Sequence, residues 1–337
     1  MRQEDGGLLS RRDMAVLVTG ATGFIGSHVV RELLERGYSV KAGARKPSRA
    51  KFLLGLPGSD NLEIVQMDLF DVDSLRNAVG DCKEVIHCAA ALHVGAKNAQ
   101  KDVVDPSIKG VENLCSVMGD VKRVVHTSSV AAIRSTNCKN GQCFDIDDWC
   151  GDATLSSNPY GLAKVEAEKK IRKWAKKEGV FLVTIHPSIV FGPILHERHA
   201  EGSMSYLKHF VNGPPFVLDI NVNFVDVRDV ALAHVNALEN GINERRYLIH
   251  NKGLWMKEIG LLLRKEIGGK WPIRKLPRVF AYLLAVFHPK LSVKQLRNNL
   301  GKYVEYDVKD SFEKLGIERT EGRVSIIDGI RSLQAQG

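Results

Sequence analysis

The chain has 337 residues, 44% of them apolar, enough to bury a large core as one big α/β domain or as two smaller units. Its 48 Lys and Arg exceed 39 Asp and Glu by a formal +9; the cations recur near 169–177 and 270–302 and read as solvated faces rather than a nucleic-acid or membrane surface, while still favouring an anionic ligand. No apolar run approaches the ~20 residues that cross a bilayer, and the best candidate, VFAYLLAVF at 279–287, falls far short.

Residues 1–13, MRQEDGGLLSRRD, lack the apolar centre of a signal peptide and read as a flexible tail. Apolar, β-branched runs then predict strands at 14–19, 38–43, 62–67, 84–89, 122–127 and 180–186. Helical patterns lie between them, near 24–36, 72–79, 101–118 and 158–178. This alternation predicts βαβ units and a Rossmann-type, doubly wound parallel sheet of the α/β class. After about residue 188 the rhythm changes, and Pro193, Pro214, Pro215, Pro272, Pro277 and Pro289 punctuate short elements. The expected organisation is a nucleotide-binding domain over 14–190 and a smaller C-terminal α/β substrate lobe over 191–222 and 240–337. The strand-and-helix run at 223–239 is expected to return to the main domain.

The first strand ends in VTGATGFIG, which places Gly20, Gly23 and Gly26 where a strand turns into a helix. A pyrophosphate needs backbone N–H donors free of side chains, and it gains from a helix N-terminus. The second strand decides between two dinucleotides. An NAD site often carries an acidic residue there, on the ribose 2′-OH. No carboxylate stands between Lys41 and Leu56; Arg45, Lys46 and Arg49 do, and cations suit a 2′-phosphate. The cofactor expected is NADPH.

Strand five ends in Thr127, Ser128 and Ser129, at the carboxyl edge where such sheets bind ligand. One of these hydroxyls can hold a substrate carbonyl oxygen as charge develops on it. Ser129 is favoured over Ser128, and the choice stays open. At 156–168 the chain reads SSNPYGLAKVEAE. Ser157 or Asn158 can cap a helix and Pro159 suits its first turn. Tyr160 and Lys164 then share one face at i and i+4. An ammonium beside a phenol favours the phenolate that a proton donor leaves behind, so Tyr160 can serve a nascent alkoxide.

TGATGFIG, Asp68 and Leu69 in MDLF, HCAAA, the TSS of strand five, Y-x-x-x-K and HPSIVFGP together resemble the extended short-chain dehydrogenase/reductases. The arginine after strand two, TSS and the FGP strand end look most like the dihydroflavonol 4-reductase and cinnamoyl-CoA reductase group; 3β-hydroxysteroid dehydrogenases are similar but more distant. The resemblance implies that Gly20, Gly23, Phe24 and Ile25, with Gly26, meet the pyrophosphate. It implies Arg45, with Lys46 beside it, on the 2′-phosphate, and Asp68 and Leu69 on the adenine. Ala89, Ala90 and Ala91 would line the nicotinamide side together with Thr127. Tyr160 and Lys164 would also touch the cofactor, Lys164 gripping the nicotinamide ribose. Pro187, Ile189 and Val190 would flank the ring. Two departures stand out: Lys46 occupies a position that is often Asp in this group, and the loop KNGQCFDIDDWC matches no substrate contact.

Other signals are set aside. Cys138, Cys143 and Cys150 crowd that loop without the close pair of a zinc site, and reduced thiols in a cytoplasmic protein are the expectation. HERH at 196–199 spaces its histidines three apart rather than four, which fails a zinc peptidase. His126 and His186 sit inside strands and read as core or cleft-lining residues, Trp149, Trp174, Trp255 and Trp271 read as packing residues, and His93 could reach the substrate. The reading is an NADPH-dependent reductase of a small apolar or aromatic ketone or aldehyde, a monomer or homodimer without metal or nucleic acid. Residues 200–220 and 275–290 are expected to choose the substrate. The alternatives are a nucleotide-sugar epimerase, a 3β-hydroxysteroid dehydrogenase-like enzyme and a cofactor-sensing protein without chemistry.

Overall fold

The computed structural model describes residues 14–90, 98–287 and 293–336. The first half runs β1 (Val16–Thr19), α1 (Phe24–Glu35), β2 (Val40–Ala44), β3 (Leu62–Gln66), α2 (Val72–Val79), β4 (Glu84–His87), α3 (Asp105–Val117), β5 (Arg123–Thr127), β6 (Gln142–Phe144), α4 (Pro159–Glu178) and β7 (Phe181–Pro187). The second half runs β8 (Ile189–Phe191), α5 (Ser205–Asn212), β9 (Phe216–Val217), β10 (Asn221–Asp226), α6 (Val227–Asn240), β11 (Arg246–Ile249) and β12 (Lys252–Trp255). It finishes with α7 (Met256–Glu266), β13 (Arg274–Lys275), α8 (Arg278–Phe287), α9 (Val293–Asn299), β14 (Val304–Tyr306), α10 (Lys309–Leu315) and α11 (Gly322–Gln334).

Seven parallel strands form the main sheet in the order β3-β2-β1-β4-β5-β7-β11. Most strand positions are apolar, because helices cover both faces of the sheet. Val16, Val18, Ile86, Val125 and Val183 face a core shared with α1 and α6. Their neighbours Leu17, Val85, Val124 and Leu182 face the other core, under α2, α3 and α4. The strand order reverses between β1 and β4, so their carboxyl ends open the crevice where such a sheet takes a ligand. All six expected strands and four expected helices are present, within a few residues at their ends.

The far end of the chain departs from expectation. β11 was assigned with 240–337 to the lobe, yet it pairs with β7 as the seventh strand of the main sheet. Val304, Tyr306, Phe312 and Leu315 likewise pack into the main core. Four residues, RYLI, set between Arg245 and His250, carry too little pattern to separate β11 from the short elements around it. β10, expected to return to the main domain, instead forms a second sheet with β8 and β12, while α6 packs on the main core. The second core gathers Phe191, Phe224 and Leu207 with residues of α7, α8 and α11.

One buried ionic cluster holds α4 to the sheet. Glu168 is fully buried; Arg172 Nε and Arg246 Nε donate to its Oε1 at 2.9 and 3.0 Å, and Ser128 Oγ donates to Oε2 at 2.8 Å. Burial opposes the charge, but His186, Arg246 and Arg172 outweigh it and hold the carboxyl well below its usual range. His186 is itself pushed down by burial, so the two arginines supply the positive charge. Arg246 also donates to the carbonyls of Ile146 and Asp148 at 2.8 and 2.5 Å and stacks on Trp149 at 4.0 Å.

Two predictions follow from this burial. Glu168→Gln leaves the Arg246 guanidinium without its counter-charge, and denaturant unfolding should register a loss of about 3–5 kcal/mol; an unchanged midpoint would remove the cluster from its structural role. His28, His87, His126, His234 and His250 are at most 6% exposed. Burial pushes His28 and His87 down to about 3, His234 and His250 to about 4, and His126 well below the ordinary value. The unfolded chain takes up these protons below about pH 6.5 and the folded chain does not, at about 1.4 kcal/mol per group per pH unit. Asp229, raised to about 6 by burial, works in the opposite sense as a single group. The melting temperature should therefore fall between about pH 6.5 and 5, before ordinary carboxylates titrate; a flat profile over that interval would contradict the neutral burial of these rings.

Candidate active site

The glycine turn draws β1, α1 and β4 together. Gly20 has φ +64°, and a Cβ on it would lie 2.7 Å from the Ala89 backbone. A Cβ on Gly26 would collide with the Gly20 carbonyl. Protein packing thus demands two of the three glycines. Gly23 is the N-cap of α1 and caps without a side chain, while no acidic residue occupies the first turn, which begins Phe24-Ile25. The helix start is left electropositive, with a backbone cradle suited to an anion.

Arg45 and Lys46 follow β2 and are exposed; no ion pair takes up either side chain among the described residues. Asp68 follows β3, its Oδ1 accepting from the Phe70 N–H at 3.0 Å. The Leu69 carbonyl accepts from Asn113 Nδ2 at 2.8 Å, and its side chain packs where Gly110 of α3 leaves room. Ala91 and His93 lie outside the described residues.

α4 starts as its sequence requires. Asn158 caps it, accepting from the Gly161 N–H at 2.9 Å, with Pro159 in the first turn, so Asn158 and not Ser157 is the cap. Tyr160 and Lys164 are half-buried and line one crevice with Leu69, Ala89, Ala90 and Ser107. Lys164 Nζ donates to the Thr127 carbonyl at 3.3 Å. The Thr127 hydroxyl is paired inward with His234 Nε2 at 2.7 Å, because His234 Nδ1 must donate to the Val230 carbonyl. Ser128 is 2% exposed and donates to Glu168. Ser129 is half-buried; its Oγ accepts from the Ala131 N–H at 3.1 Å, and no acceptor for its own proton is present among the described residues. Of the three hydroxyls, Ser129 alone is open. Pro187 ends β7, and Ile189 and Val190 enter β8 against Phe224 and Val225.

Sequence reasoning placed His126 in the core or the cleft lining but missed His87, its neighbour on the floor of the crevice. His87 and His126 stack with ring centroids 5.2 Å apart. Thr19 Oγ1 accepts from the Ala89 N–H at 3.1 Å and shares a hydrogen bond with His87 Nδ1 at 2.7 Å. Neither ring nitrogen of His126 has a partner among the described residues. Glu168 was also missed, although it extends the Tyr160–Lys164 stripe by one more helical turn. The unassigned cysteine loop resolves into structure: Cys138 and Cys150 are buried. Against its own burial, Asp152 is held at about 2 by Thr136, Ser135 and Asn137.

Comparisons agree with this geometry. The profile of the NAD dependent epimerase/dehydratase family matches residues 16–249. Cinnamoyl-CoA reductase CAD2 of Medicago truncatula is 30% identical over 330 residues, 95% of each chain. A bifunctional dihydroflavonol 4-reductase/flavanone 4-reductase of Malus domestica is 29% identical over 88% of each chain. The yeast methylglyoxal/isovaleraldehyde reductase Gre2, solved with NADPH, shares the fold with a TM-score of 0.79 at 23% identity, over 96% of this chain and 99% of that one. With the glycine turn, the seven-stranded sheet and the Tyr160–Lys164 pair in their places, the chain belongs to the NAD dependent epimerase/dehydratase family, the extended short-chain dehydrogenase/reductases.

Proposed function

We propose that this chain is an NADPH-dependent oxidoreductase that reduces the carbonyl of a small apolar or aromatic ketone or aldehyde, or runs the reverse oxidation. The observation that carries the reading is the crevice at the reversal of strand order, where Tyr160 and Lys164 share a wall with Ala89 and Ala90. Relatives named as cinnamoyl-CoA and dihydroflavonol reductases support the substrate class.

The cradle fits a dinucleotide phosphate: the N–H groups of Phe24 and Ile25, in the uncapped first turn of α1, suit a pyrophosphate, and the exposed Arg45 and Lys46 suit a 2′-phosphate. When bound, NADPH supplies the hydride. Tyr160 donates the proton to the carbonyl oxygen. Lys164, fixed by the Thr127 carbonyl, places positive charge beside the phenol. Ser129 donates a hydrogen bond from its free hydroxyl to the same oxygen, keeping its proton, and steadies the charge on it. Met204, Leu207 and Phe210 are buried in the second core, so within 200–220 the substrate is chosen by their neighbours.

NADPH should raise the melting temperature far more than NADH, and a carbonyl panel should consume it; stabilisation by a nucleotide sugar without NADPH turnover would favour epimerisation. Tyr160→Phe should keep cofactor affinity and lose about 10²–10⁴ in turnover, measured by NADPH absorbance; retained turnover would remove Tyr160 from proton transfer. Arg45→Glu should weaken NADPH binding by about tenfold to a hundredfold while sparing NADH. Unchanged selectivity would move the 2′-phosphate contact elsewhere.

A further inference from the structure

The helix α8 is inverted. It turns its small residues, Ala281 and Ala285, into the second core. It leaves Val279, Phe280 and Leu283 in solvent, 69%, 58% and 52% exposed. These three share one face, one turn apart. A helix apolar all round is ordinarily covered on every side. Ten residues extend only about 15 Å, half a bilayer's core, so α8 cannot span one.

The charge of the chain gathers on the same segment. Residues 252–302 hold 12 Lys and Arg against two acids, Glu258 and Glu266, which is +10 and more than the whole chain's +9. Both acids are engaged: Glu258 accepts from the Trp255 N–H, and Glu266 pairs with Arg323. Lys257, Lys265, Lys270, Arg274 and Arg278 are exposed, and no ion pair neutralises them among the described residues. The remainder of the chain is within one charge of neutral, so the cations near 169–177 are balanced elsewhere and those of 252–302 are not.

We propose that α8 and the basic segment around it dock on an anionic lipid bilayer, with Val279, Phe280 and Leu283 entering the headgroup boundary. Interfacial helices bind by this pairing of apolar insertion with cation attraction. A second copy of the chain would bring one +10 segment against another, which repulsion disfavours. Nucleic acid would use the cations and leave the apolar stripe wet.

The test is co-sedimentation of the purified full chain with vesicles. Binding is expected with about one-third phosphatidylserine in phosphatidylcholine, with release at about 0.5 M salt, and none with phosphatidylcholine alone. Lys270→Gln with Arg274→Gln should lower partition about twentyfold. Phe280→Ser with Leu283→Ser should lower it at least about tenfold while the melting temperature stays unchanged, since both side chains are exposed. The charge variant carries the test alone should the serine variant unfold. Equal partition on neutral and anionic vesicles overturns the proposal. So does wild-type binding by both variants, a dimer that the serine variant dissolves without any vesicle binding, or retention by duplex DNA in place of vesicles.

Discussion

Two contacts one helical turn apart seat α4 on the end of β5, and the site depends on them. Lys164 donates to the carbonyl of Thr127, and Glu168 accepts from the hydroxyl of Ser128. Adjacent strand residues thus grip residues i and i+4 of the helix, and Tyr160 follows one turn toward the N-terminus. Because the helix cannot rotate without breaking both contacts, the phenol is committed to the crevice side. The same grip consumes Ser128 and frees Ser129, whose hydroxyl has a local backbone N–H as its one hydrogen-bond partner among the described residues.

The parts of this arrangement legible in the sequence are those with local causes. A strand buried on both faces needs a continuous apolar run, and a helix start needs a cap, so β1 to β5, β7 and α4 were readable from neighbours in the chain. The Tyr160–Lys164 spacing is likewise a property of one helix. What could not be read is set by partners far apart in sequence. Glu168 meets Arg246 across 78 residues, and nothing in VEAEKK says which glutamate is buried. β11 is four residues long, and only its pairing with β7 identifies it. The choice between Ser128 and Ser129 turns on that same distant cluster.

The glycines give a different lesson. A ligand was the natural reason for three flexible residues at a strand–helix join, but Gly20 and Gly26 are required by the approach of backbone to backbone. Packing and binding are nonetheless one cause here. Drawing Ala89 against Gly20 closes the gap between β1 and β4, and Gly23 starts α1 without a side chain over its first N–H groups. The close packing creates the bare helix start that an anion can use.

The two stacked histidines complete the electrostatic argument. His87 and His126 sit in the crevice wall with Lys164, and a proton on either would set like charges against each other. Burial keeps both rings neutral, and the nearby Lys164 ammonium depresses them further, with His87 also pressing on His126. Lys164 is then the one cation lining the crevice among the described residues. Neutral imidazoles therefore serve the crevice as polar packing that carries no charge.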